Sequence, residues 1–104
     1  TAETSQIPVG VIAHSSIELG RYYAADKNYS SAENTLNKII KYANEQGGPY
    51  YEAQASYVLA QVKAATGDMQ SAKALIDKAR LIAKNTNDPA LDEEITKETQ
   101  NLIK

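Results

Sequence analysis

One imidazole, seven phenols and no thiol bound the chemistry open to this 104-residue chain. His14 is the only His, so a general base or phosphoryl carrier built on imidazole has one place to be. Without Cys there is no disulfide, no thiolate nucleophile and no Cys-based zinc site. Ser residues are present, but none sits in a nucleophile elbow, and a Ser hydroxyl attacks only when a base is oriented beside it. Asp92, Glu93 and Glu94 are adjacent carboxylates. On a helix only residues three or four apart face one another, so this run reads as solvated and as a complement to the helix dipole, not as an acid–base pair. Gly47-Gly48-Pro49 lacks the Lys-Ser/Thr that a phosphate loop requires. The expectation is no catalytic residue, no metal and no cofactor, and so not an enzyme.

Composition narrows the class further. Hydrophobic residues make up 42% and charged residues 23%, which suits one small folded domain and neither a disordered tract nor a membrane protein. No apolar run approaches the length of a membrane span. With 11 Lys plus Arg against 13 Asp plus Glu the chain offers no broad basic face, so nucleic acid is not an expected partner. The absence of Cys fits cytoplasm and periplasm equally and leaves the compartment unassigned.

Whatever these residues do, repeated helices must position them. Laid on itself at an offset of forty, the chain matches Leu19 with Leu59, Ala24-Ala25 with Ala64-Ala65, Ser31-Ala32 with Ser71-Ala72, Ala43 with Ala83, and Pro49 with Pro89. Each unit reads as two helices. In the first, Ile12, Ser16, Leu19-Gly20 and Tyr23 form a stripe at helical spacing, broken at Asp26-Lys27-Asn28. Ala32, Leu36, Ile39-Ile40 and Ala43 form the next, ended by Gly47-Gly48-Pro49. The second unit runs from Tyr50 to about Thr66, turns at Gly67-Asp68, and resumes from Met69 to about Asn85. Asp88 and Pro89 start a closing helix, with Leu91, Ile95, Leu102 and Ile103 on its apolar side. Small residues at Gly20, Ala32, Ala60 and Ala72 should let helix axes approach, with Leu19, Leu36, Leu59 and Ile76 filling the space between them.

Leu19-Gly20-x-x-Tyr23 followed by Tyr29, Ala32, Leu36 and Ile39, and in the second unit Leu59-Ala60, Gly67-Asp68-Met69, Ala72, Ile76 and Ala79, resemble the tetratricopeptide repeat. The period departs from that family's usual length, about 34 residues. Lys63 also stands where the pattern has Tyr, and Lys27 where it has Gly. The resemblance implies an all-α, TPR-like α–α superhelix of two helical hairpins plus a C-terminal capping helix, five helices in all. The boundaries it sets are a flexible tail over residues 1–8 and one domain over 9–104. Within the domain, repeat one spans 9–46, repeat two 49–86, and the capping helix 89–104.

That likeness also implies a function: a non-enzymatic interaction or scaffold module that binds a peptide or partner helix on its concave face. The groove carried over position by position is His14, Ile17, Arg21 and Ala24 from the first unit, and Gln54, Tyr57, Gln61 and Ala64 from the second. Ile17 and Gln61 are wrong for the subtype that grips chaperone C-termini. Three repeats are the usual minimum for such a stack, so a homo-oligomer or membership of a longer repeat protein stays open. Two alternatives stand beside this reading. One is a structural, oligomerising periplasmic protein of the YfdX type, which has similar Ala-spaced helices around Gly-Asp turns. The other is a histidine phosphotransfer domain using His14. Against the latter, Ile17 and Glu18 lie where such domains place Lys and Gly, and a carboxylate there would repel phosphate.

Overall fold

The computed structural model describes residues 9–100 and 102. They form five helices: α1 (Val9–Ala25), α2 (Tyr29–Gln46), α3 (Pro49–Ala65), α4 (Met69–Asn85) and α5 (Pro89–Thr99). The expected tail over residues 1–8 and the last apolar residue of the closing helix, Ile103, lie outside the described residues.

The four joints between helices are built alike. Lys27, Gly47, Gly67 and Asn87 all take left-handed backbone, at φ 63°, 73°, 89° and 54°, and they recur every twenty residues. After each, the next N–H reaches back to close the preceding helix: Asn28 to the Tyr23 carbonyl, Gly48 to Ala43, Asp68 to Lys63 and Asp88 to Ala83, at 2.8 to 2.9 Å. This is a Schellman closure, which satisfies carbonyls the helix end would otherwise leave bare. The same residues then begin the next helix. Asp68 accepts from the Ser71 N–H and Asp88 from the Leu91 N–H, both at 3.1 Å. Pro49 and Pro89 occupy first helical positions, where no N–H is needed.

Helices that follow one another in the chain pack side by side, and α3 also touches α1 and α5. Helices α2 and α4 do not meet. The layer therefore bends toward α1, α3 and α5, and the described chain spans 49 × 33 × 17 Å. Ala supplies the close approaches, with Ala13, Ala32, Ala53, Ala60, Ala72 and Ala83 all at the core. Gly20 marks another, since a Cβ there would lie 2.8 Å from Leu36 Cδ2. Leu36, Ile76, Leu91 and Ile95 fill the space between helices, each at most 1% exposed. Burying a side chain of that size contributes roughly 1.5–3 kcal/mol.

Leu19 departs from expectation. It is 43% exposed, whereas Leu59, forty residues on, is 2% exposed. The reason lies outside the residue itself: α3 is packed between α2 and α4, and no helix among the described residues precedes α1.

Candidate functional site

The side toward which the layer bends is lined by α1, α3 and α5, and the eight expected groove residues all belong to the first two. They do not all reach its surface. Ile17 and Tyr57 are each only 1% exposed and belong to the core, because α1 and α3 pack directly on one another there. His14 is exposed on α1, while Arg21, Ala24, Gln54, Gln61 and Ala64 are half-buried.

Arg21, Gln54, Tyr57 and Gln61 are tied in a ladder of hydrogen bonds that reaches across the three helices, whereas His14 takes no part. Arg21 Nη2 donates to the Tyr57 hydroxyl at 3.2 Å, and that hydroxyl donates to Glu94 Oε2 at 2.5 Å. Gln54 Nε2 donates to the same carboxylate oxygen at 3.2 Å. Gln61 Nε2 reaches the Glu98 carbonyl at 2.9 Å. Burial, followed by the hydrogen bond to Glu94 and its charge, pushes the Tyr57 phenol far above its ordinary value, and Arg21 offsets this only in part. Tyr57 therefore stays protonated and acts as donor and acceptor together, with the charge-assisted bond to Glu94 the stronger of the two. Tyr50 is raised as well, by burial first and then by the Glu94 charge.

The contribution of α5 escapes a reading of Asp92, Glu93 and Glu94 as a solvated run. Only Glu93 is fully exposed; Asp92 pairs with Arg80 at 3.4 Å, and Glu94 completes the ladder. A sequence signal for it exists, because Glu94 stands forty residues after Gln54 and eighty after His14, in the groove register of a third unit.

Beyond the ladder, Arg21, Ala24, Tyr29, Gln61 and Ala65 rim a cleft of about 290 Å³ floored by Val58 and Val62. That volume suits one or two side chains and falls short of a drug-sized ligand. The guanidinium stands 6.0 Å from the Tyr57 ring centroid. Arg21 Nε is shut from solvent without a hydrogen-bond partner, and the nearest carboxylate oxygen, Glu18 Oε2, lies at 3.7 Å.

A larger cleft of about 430 Å³ lies where α4 meets the start of α5, between Asp77, Arg80, Leu81, Lys84 and Asp92. Its charges are of both signs and partly paired with each other, so no single ligand chemistry follows from it. Among the described residues no group of His, Asp or Glu is placed to hold a metal ion, and no helix is long and apolar enough to cross a membrane. Comparison with family models, curated proteins and solved structures returned no match.

Proposed function

We propose that this chain is a non-catalytic binding module, a TPR-like stack that takes an extended peptide or a partner helix along α1, α3 and α5. The observation that carries the reading is the cleft beside Arg21. It combines a cation held in place by Tyr57, the Gln61 amide and an apolar floor. The Arg21 side chain keeps 37% of its surface exposed, so its outer N–H groups can donate to an incoming acceptor. A side chain with an apolar stem and a carboxylate or amide tip matches those walls. The ladder behind it fixes the spacing of the three helices, so the surface meets a partner already formed.

Peptides selected from a displayed library against the whole chain test the reading. Arg21→Ala should weaken the best of them by at least about tenfold, a loss near 1.4 kcal/mol. The circular dichroism spectrum should stay unchanged. Selected peptides that bind Arg21→Ala as tightly as the parent would place the interaction elsewhere and sink the proposal.

A further inference from the structure

We propose that the outer face of α1 is a self-docking surface, on which Val11, Ser15, Leu19 and Tyr22 meet the same residues of a second copy with the two α1 helices antiparallel.

The argument begins with the repeat. Forty residues after that set stand Tyr51, Ala55, Leu59 and Val62, and forty further stand Leu91, Ile95, Thr99 and Leu102. In α3, and in or just after α5, these positions belong to or pack on the core: Ala55 and Ile95 are 0% exposed, Leu59 2% and Thr99 0%, and Tyr51 lies against Gly10 of α1. The register is therefore one that docks on a helix wherever a helix is present. In α1 the same register is bare, with Val11 56%, Leu19 43% and Tyr22 66% exposed, and Ser15 also exposed. Three large apolar side chains on one stripe of one helix form a patch that water covers at a cost.

The occupant follows from the order of side chains along the stripe. Spacings of four, four and three keep all of them on one face of an α-helix. Turning a second α1 end for end about the midpoint between Ser16 and Ile17 brings Val11 opposite Tyr22 of the copy. It also sets the small Ser15 within one residue's rise of the copy's Leu19. Each large side chain thereby meets a smaller one, and the two-fold axis makes every such match twice. The polar side chains fit as well. Glu18 and His14 lie on one edge of the stripe, and the axis keeps that edge against itself, so each Glu18 carboxylate falls beside the copy's His14 imidazole. Both are exposed, and Glu18 would exchange its 3.7 Å contact with Arg21 of its own helix for this one. The surface is separate from the cleft beside Arg21, and the inference does not rest on the proposed function.

Sedimentation of the whole chain from low micromolar to millimolar concentration tests it. The parent chain should pass from monomer to dimer, and Leu19→Glu should raise the dissociation constant by at least about tenfold. Leu81→Glu is the control, since Leu81 is 57% exposed but sits on α4. It should leave association unchanged. Because the chain has no Cys, Ser15→Cys gives a clean second readout: on oxidation it should link into covalent dimers faster than Lys73→Cys, an exposed position on α4. A parent chain that stays monomeric throughout overturns the proposal. Association that Leu19→Glu leaves intact, or equal linking rates for the two cysteines, overturns it too.

Discussion

The first and second hairpins carry one pattern at an offset of forty, yet the same position does different work in each. Helix α3 lies between α2 and α4, so both of its flanks are core; Ala53, Ala55, Ser56, Leu59 and Ala60 are all buried. Helix α1 packs on α2 and α3 only, burying Ala13 and Ile17, while Leu19 and Tyr22 face solvent. Helix α5 shows the reverse edge. Where α3 has Ala53, Ser56 and Ala60 to receive its following helix, α5 has exposed Glu93, Thr96 and Gln100. One edge of the layer is thus finished in polar residues and the other is apolar. A repeat pattern specifies which face of a helix is ready to dock, and the neighbours decide whether that face is used.

Three comparisons between substitutions test how far the two hairpins differ. The largest gap should separate Leu59→Ala from Leu19→Ala. Chemical denaturation at high dilution should show a loss of about 3 kcal/mol for the first and less than about 0.5 kcal/mol for the second. Equal losses would mean that Leu19 is covered in the monomer after all.

Next comes the pair Ile17 and Tyr57, both buried, of which Tyr57 alone carries a hydroxyl across to α5. Tyr57→Phe should cost about 1–2 kcal/mol, because Glu94 and Arg21 each lose a partner in a half-buried setting. The same change in a chain already carrying Glu94→Gln should cost less, and an undiminished cost would show that the ladder does not couple the two residues.

The smallest effect concerns the matching joints at Lys27 and Gly67. Adding a Cβ by Gly67→Ala should destabilise by about 1 kcal/mol, since φ is 89° there. Relieving the same strain by Lys27→Gly should raise the melting temperature by a few degrees, equivalent to about 0.5 kcal/mol. A fall in melting temperature on Lys27→Gly would mean that the lysine side chain contributes something its position in the turn does not reveal.

Much of this architecture is legible before any coordinates. Gly47-Gly48-Pro49, Gly67-Asp68 and Asp88-Pro89 place joints because left-handed backbone, an N-cap and a first-turn proline each call for particular residues. The helix boundaries at Met69, Asn85 and Pro89 follow from them. The site was harder to read. Periodicity places Ile17 and Tyr57 on the side shared by α1 and α3, but how closely two helices approach depends on side chains distant in sequence. Both residues proved to be core, and the accessible surface contracts around Arg21 and Gln61. Glu94 was legible only by carrying the groove register into a helix that no second helix follows among the described residues. The exposure of Leu19 has no local signature at all, since an identical residue in an identical pattern is buried forty positions later.

The even spacing of the joints has a bearing on how such a chain can vary. Helices α2, α3 and α4 are rods of 17 or 18 residues clamped at both ends, so one residue inserted in the middle of α2 or α3 would swing everything beyond it by about 100° and turn the Ala stripe outward. Sequence can drift within each rod, whereas changes of length are tolerated only as whole rods gained or lost.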